Sequence, residues 1–181
     1  MALCQELLWM AEHLEASDGV LLLNSLEWSV LEVDLVVYTD ASATGMGIWC
    51  PSFLRALYSP IVTPQPSCIF FFKAWAVVSA LSFASSLNQF HHIIIFTDNS
   101  NTVNMFNTLH AKPDYNPLLI TAMNILLDHN IQLCVLHIPG ADNTIADTIS
   151  HSKFDIVYSR FPTAALSTFT PIPLSNGSTA V

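Results

Sequence analysis

Charged residues are scarce in this chain of 181 residues, because Asp, Glu, Lys and Arg together make up only 10%. A soluble domain usually contains about 25%. This composition invites comparison with membrane proteins, in which a helix of about 20 mostly apolar residues spans the bilayer. The most apolar stretch, residues 68–87, contains Lys73 and several serines and lies between strand-like segments. We therefore expect no membrane span and, since acidic residues interrupt the N-terminal segment, no secretory signal.

Clustered cysteines are also missing. The chain has four cysteines and no C-x-x-C pair: Cys4, Cys50, Cys68 and Cys134. This spacing argues against a zinc site and against a disulfide framework. We expect reduced thiols in an intracellular protein, with the compartment left open.

Positively charged residues are especially few. The chain has five Lys and Arg residues against 14 Asp and Glu residues, which gives a net charge of −9. The imbalance is concentrated at the N-terminus, where residues 1–34 hold seven acids and no Lys or Arg. From residue 35 onward the acids outnumber the bases only seven to five. This part of the chain is close to neutral, but it lacks the basic stripe with which proteins bind a phosphate backbone.

The order of apolar patterns predicts an α/β fold. Leu7, Leu8, Ala11 and Leu14 have helical spacing, and β-branched or apolar runs predict strands near residues 34–40, 45–50, 56–59, 91–98 and 131–140. Helices are predicted near residues 69–87, 101–109, 116–129 and 144–151. Three strands joined by short connections, followed by alternating strands and helices, predict a mixed five-stranded sheet with helices on both faces. It combines a three-strand meander with parallel strands.

Three aspartates, Asp40, Asp98 and Asp147, fall where this architecture brings two strand ends and a short helix together. Taken singly, each has a structural explanation as a turn residue, a helix cap or a partner of a helix dipole. Taken together, three carboxylates repel one another unless a cation joins them, and Mg²⁺ suits a site made only of oxygen ligands. Two such ions promote attack of water on a phosphodiester.

The segments around these aspartates are "VVYTDASATGMGIW", "IIIFTDNSNTVNMFNTL" and "VLHIPGADNTIADTISH". They resemble the ribonuclease H-like domain of retroelement reverse transcriptases, most closely elements common in fungal genomes. The resemblance covers roughly residues 28–152. It implies that residues 1–33 form a connecting helix and linker from a polymerase domain that this chain lacks. The ribonuclease H-like domain would then be residues 34–152, followed by a disordered tail over residues 153–181.

The resemblance also implies roles for the three aspartates. Asp40 would bridge two Mg²⁺ or Mn²⁺ ions, Asp147 would help to hold the ion that activates water, and Asp98 would hold the second ion. The implied substrate is the RNA strand of an RNA–DNA hybrid, recognised through its backbone and 2′-hydroxyl groups. Weaker candidates for contact with this substrate are Ser42, Gly45, Gly47 and Asn99, with the glycines allowing close approach of the duplex.

One position departs from the family pattern, because Lys73 stands where the family has a metal-binding glutamate. Residues 41–97 contain no Asp or Glu that might replace it. A lysine facing Asp40 and Asp98 would neutralise them without metal and would occupy the place of the second ion. The remaining ion would bind weakly, and loss of half of a two-ion centre would slow hydrolysis by orders of magnitude. Alternatively, Lys73 extends its ammonium group into solvent.

The sequence therefore predicts a ribonuclease H-like domain with impaired hydrolysis of RNA–DNA hybrids. Two alternatives stay open. One is an active divalent-metal endoribonuclease that tolerates Lys73, and the other is a non-catalytic module that binds nucleic acid or protein.

Overall fold

The computed structural model describes residues 30–61, 69–87 and 89–174, together with the isolated positions Leu8, Ala11 and Trp28. The predicted N-terminal helix therefore lies almost entirely outside the described residues, and so does the end of the predicted tail. Within the described part of the chain, six strands form one sheet and five α-helices pack around it.

The sheet has the strand order β5-β4-β1-β2-β3-β6. Its strands are Leu35–Ala41 (β1), Gly45–Cys50 (β2), Arg55–Pro60 (β3), His92–Thr97 (β4), Gln132–His137 (β5) and Ala165–Thr168 (β6). β1, β2 and β3 are antiparallel neighbours, whereas β1 with β4, β4 with β5, and β3 with β6 are parallel pairs. The α/β class and the mixed sheet with its meander are confirmed, with six strands where the sequence predicted five.

The helices follow the predicted order. They are Ile69–Ser85 (α1), Ser100–Thr108 (α2), Asn116–Asp128 (α3), Thr144–Ser150 (α4) and Phe154–Arg160 (α5). The larger core lies between α1 and one face of the sheet, where Val37, Ile48 and Leu57 are buried. Trp49 follows Ile48 in β2 and Ala56 precedes Leu57 in β3. These two neighbours belong to a second core with α4 and α5. Because side chains alternate across a strand, helices cover both faces of the sheet.

The apolar run of β4 is explained by its central position. Ile93, Ile94 and Ile95 are fully or almost fully buried, because β4 has a parallel strand on each side and covered faces above and below. A strand in that environment has no solvent-facing row of polar side chains. The same reasoning accounts for α1, whose buried residues are mostly small or apolar and include Ala74, Val77 and Leu81.

The prediction of a disordered tail from residue 153 is wrong for the residues that form α5 and β6. β6 pairs with β3, and the following segment crosses α1, where the indole Nε1 of Trp75 donates a hydrogen bond to the carbonyl of Ile172 at 2.9 Å. Most β6 side chains are exposed, so no apolar alternation marks this strand in the sequence. Backbone hydrogen bonds hold it, and these depend on the edge of β3 rather than on side-chain type.

The low charge content does not produce a transmembrane helix in the described residues, since none of their helices has the length and apolarity needed to cross a bilayer. Cys50 and Cys134 are free thiols, and burial raises the pKa of both. A raised pKa disfavours the reactive thiolate, so these two cysteines behave as apolar packing residues.

We predict that the segment after Ala164 is required for full stability. A chain that ends at Ala164 loses β6 and the partly buried side chains of Phe169, Ile172 and Leu174. Full burial of one such side chain contributes about 1.5–3 kcal/mol, so partial burial of three gives an expected loss of about 2–4 kcal/mol. Urea unfolding measures this loss. A chain that ends at Leu174 is the control and should retain the stability of the full chain; equal stability of both truncated chains would contradict the prediction.

Candidate functional site

The pairing of β1 with β4 brings Asp40 and Asp98 to the same edge of the sheet. These strands are parallel, and Tyr38 lies opposite Phe96 in their register. Asp40 and Asp98 each follow two residues later, so the two carboxylates leave neighbouring strands at the same level. A hydrogen bond from the hydroxyl of Thr39 to the carbonyl of Phe96, 3.1 Å long, joins the strands at this point.

Lys73 bridges these two carboxylates. It lies near the start of α1, and its Nζ donates to Oδ1 of Asp40 at 2.6 Å and to Oδ1 of Asp98 at 2.5 Å. The side chain of Lys73 is 13% exposed, whereas those of Asp40 and Asp98 are 4% and 27% exposed. The alternative in which the ammonium group extends into solvent does not describe this structure. The three residues form an ionic triad at one edge of the sheet.

The pKa values in the triad show the cost of burying it. Burial alone lowers the pKa of Lys73, but the attraction and hydrogen bonds of Asp40 and Asp98 outweigh burial and raise it above 10.5. For Asp40, burial and the nearby charge of Asp98 together raise the pKa by more than Lys73 and Ser150 lower it. A buried carboxylate of this kind depends on its partners, because each lost partner leaves charge without compensation.

Two polar residues hold α4 against this site, and both belong to the last of the three sequence motifs. The hydroxyl of Ser150 donates to Oδ2 of Asp40 at 2.7 Å, which occupies the carboxylate oxygen that Lys73 leaves free. The side-chain Nδ2 of Asn143 donates to the carbonyl of Thr39 at 2.9 Å. The sequence assigned neither residue a role at the site, although both stand in the segment "PGADNTIADTIS" that carried part of the family resemblance.

Asp147 lies on α4, but its side chain is 53% exposed and its Oδ1 lies 3.5 Å from Nε2 of His151. Across the described residues, no group of three or more His, Cys, Asp or Glu side chains is arranged to hold a metal ion. The structure therefore brings two of the three predicted aspartates together through Lys73 and leaves Asp147 on the exposed side of its helix. The proposed metal-ligand role of Asp147 stays a prediction.

Two predicted substrate-binding side chains make hydrogen bonds within the protein. The hydroxyl of Ser42 is buried and donates to the carbonyl of Ser150 at 2.8 Å. The side chain of Asn99 occupies the N-cap of α2, where its Oδ1 accepts a hydrogen bond from the backbone of Thr102 at 2.9 Å. Their contact with a nucleic-acid duplex stays a prediction, and the structure gives both residues a structural role in addition.

Both glycines of the β1–β2 hairpin permit close packing within the protein. A Cβ atom on Gly45 would overlap the ring of Tyr58, and one on Gly47 would lie 2.6 Å from the backbone nitrogen of Ser150 and closer still to the carbonyl of Ala146. Glycine at position 47 thus lets α4 approach β2 and places Ser150 next to Asp40. The close approach that the sequence predicted at these glycines was that of a nucleic-acid duplex, which stays a prediction.

The donor set of this site does not fit a two-ion centre. Both Oδ1 atoms that face each other across the edge of the sheet are occupied by the ammonium group of Lys73, and Oδ2 of Asp40 is occupied by Ser150. A divalent ion between Asp40 and Asp98 would have to displace a cation that already lies within hydrogen-bond distance of both carboxylates. The negative charge of these two carboxylates is neutralised internally here.

The fold is that of ribonuclease H. Solved structures similar to this chain include RNase H1 from the halophilic archaeon Halobacterium salinarum NRC-1, with a TM-score of 0.52, 16% identity and coverage of 67% of this chain and 98% of that one. LC11-RNase H1 in complex with an RNA/DNA hybrid gives a TM-score of 0.53, 16% identity and coverage of 68% and 98%. The N-terminal RNase H domain of Rv2228c from Mycobacterium tuberculosis gives a TM-score of 0.51 and 15% identity. The match covers 70% of this chain and 99% of that one.

No protein-family model matches the sequence, and no curated protein is significantly similar to it. The likeness to these solved structures is therefore one of fold. The sheet, helices and connections form a ribonuclease H-like fold, and within it the ionic triad of Asp40, Lys73 and Asp98 is the feature from which a function can be inferred.

We predict that Gly47→Ala destabilises the protein by about 1–3 kcal/mol, because the added methyl group forces α4 away from β2. The matched control is Gly140→Ala, where a Cβ atom would meet Oδ2 of Asp98 at an ordinary 3.5 Å. This control should change stability by less than about 0.5 kcal/mol. Urea unfolding of both variants is the measurement, and equal effects would show that α4 does not pack against Gly47 as described.

We predict that Lys73→Met lowers stability at neutral pH by about 3 kcal/mol, because it leaves Asp40 buried without its cation. The pKa of Lys73 is raised on folding, so its contribution is fully present below 10.5 and is lost as the pH rises through the higher pKa of the folded state. The stability difference between the native chain and Lys73→Met should therefore shrink above pH 10.5. Urea unfolding at several pH values measures it. Lys112→Met, at an exposed lysine, should show neither effect.

Proposed function

We propose that this chain is the ribonuclease H-like domain of a retroelement reverse transcriptase, closest to fungal elements, in which hydrolysis of the RNA strand of RNA–DNA hybrids is impaired. The observation that carries the proposal is the position of the Lys73 ammonium group between Asp40 and Asp98. The fold supports the enzyme class, and the triad supports the loss of activity. An intracellular location belongs to the same proposal.

The impairment follows from competition between Lys73 and metal. A divalent ion that binds between Asp40 and Asp98 has to break the ion pairs of Lys73, and breaking a buried pair costs about 3–5 kcal/mol. A cost of about 3 kcal/mol weakens binding roughly 100-fold, since 1.4 kcal/mol corresponds to a factor of ten. The lysine also supplies no oxygen ligand in place of the family's glutamate. Both effects act against the ion that would stabilise the leaving oxygen.

Binding of a hybrid is a separate question from its cleavage. LC11-RNase H1, which shares this fold, was solved with an RNA/DNA hybrid. The present chain has four exposed cations with which to contact phosphates: Arg55, Lys112, Lys153 and Arg160. Because affinity for a phosphate backbone rises with the number of such contacts, we expect weak binding that falls further as the salt concentration increases.

The test is cleavage of a labelled RNA–DNA hybrid in Mg²⁺ and in Mn²⁺ by the native chain and by Lys73→Glu. We expect Lys73→Glu to cleave at least about 100-fold faster, because it removes the competing cation and restores an oxygen ligand. Its melting temperature should rise with added Mn²⁺, whereas that of the native chain should not. The melting curve also shows that the variant folds.

Two controls separate the causes. Lys73→Gln removes the charge without restoring a carboxylate and should stay inactive, and Lys112→Glu makes the same charge change at an exposed site and should behave as the native chain. Cleavage by the native chain at the rate of Lys73→Glu would establish the alternative of an active endoribonuclease. Hybrid binding without cleavage in either protein would favour the non-catalytic binding module.

A further inference from the structure

A second concave site lies beside β3 and β6, away from the ionic triad. It is a cleft of about 340 Å³ between the C-terminal half of α1 and strands β3 and β6, and residues 169–172 close one side. Arg55, at its mouth, begins β3 and pairs with Cys50, whereas Asp40 lies level with Gly47 and Tyr58. Arg55 is therefore three residues, or about 10 Å along the strands, from the level of Asp40. None of the three triad residues lines the cleft, which is therefore a separate site.

Hydroxyl groups from three segments converge in this cleft. They belong to Ser79 and Ser82 on α1, to Ser86 just after it, to Ser167 on β6 and to Thr170. The hydroxyl of Ser86 also donates to the carbonyl of Phe83 at 2.6 Å. Hydroxyl groups donate hydrogen bonds to oxyanions. None of the described residues that line the cleft is acidic, so nothing there repels an anion.

Arg55 supplies an uncommitted positive charge at the mouth of the cleft. Its guanidinium carbon lies 5.8 Å from the centre of the Phe83 ring, which holds the side chain over the cleft through a cation–π contact. Within the described part of the chain, Arg55 is in no salt bridge and its guanidinium donates no hydrogen bond. The planar fork of an arginine matches two oxygens of a phosphate.

Ser79 gives an independent indication of a ligand. Its side chain is 4% exposed, it lines the cleft, and its Oγ has no hydrogen-bond partner among the described residues. A buried hydroxyl without a partner is costly, and alanine would fill the same helical position without that cost. A ligand oxygen in the cleft would provide the missing partner.

The remaining walls of the cleft are apolar and include Leu57 and Phe169. A volume near 340 Å³ is within the range of small-molecule sites and is larger than a lone ion requires. We propose that this cleft binds a small molecule that carries a phosphate group, with the phosphate held by Arg55 and the serine hydroxyls and an apolar body held against Leu57 and Phe169.

Phenyl phosphate is a suitable probe, with inorganic phosphate as the control for its charged part and benzyl alcohol as an uncharged aromatic control. In the isotope-labelled full chain, phenyl phosphate should shift the amide resonances of the second half of α1 and of β6 in a saturable way. It should also raise the melting temperature. Benzyl alcohol should bind at least tenfold more weakly. Absence of saturable shifts, or equal binding of benzyl alcohol, would overturn the proposal.

Three variants locate the binding. Arg55→Gln should weaken phenyl phosphate binding at least tenfold, whereas Arg160→Gln, the same change at another exposed arginine, should leave it unchanged. Ser79→Ala should not lower the melting temperature of the free protein, but it should weaken binding several-fold. Equal losses in both arginine variants would indicate surface charge alone, and unchanged binding in Ser79→Ala would mean that water satisfies this hydroxyl; either result would refute the site.

Discussion

The constraint on which this structure depends is that two carboxylates at the ends of adjacent parallel strands need a cation. The register of β1 with β4 places Asp40 and Asp98 side by side, and Asp40 is almost fully buried. At an effective dielectric constant near 20, two like charges about 4–5 Å apart repel by roughly 3–4 kcal/mol. This repulsion is a large fraction of the free energy of unfolding of an ordinary domain, which is about 5–15 kcal/mol. Lys73 removes the repulsion from within the chain.

The triad also connects elements on the two faces of the sheet. Lys73 belongs to α1, which covers one face, and Ser150, which donates to the other oxygen of Asp40, belongs to α4 on the opposite face. Gly47 allows this approach of α4 because it has no side chain. Asp40 thus accepts hydrogen bonds from both helices. A substitution at position 73 changes the environment of a residue that both layers share.

The sequence predicted the central elements of the fold and the position of the triad, because both depend on local patterns. The isoleucine run of β4 indicates a covered strand, and an aspartate near the end of β1 and another directly after β4 indicate where the carboxylates meet. Other features depend on contacts between distant segments. β6 has mostly exposed side chains and is held by the backbone of β3, so no periodicity reveals it. The glycines were interpreted as allowing contact with a duplex, and nothing in the local sequence indicated that α4 packs against Gly47.

The scarcity of positive charge and the position of Lys73 point to the same interpretation. An active nuclease of this fold needs cations in two places, namely metal ions among the carboxylates and basic side chains along the phosphate backbone. One of the five Lys and Arg residues of this chain lies inside the triad, and the other four are scattered on the surface. On the proposed function, the chain does not need further cations for hydrolysis, whereas the buried carboxylate still has to be neutralised for the domain to fold. On that proposal, Lys73 meets the requirement of folding without meeting that of catalysis.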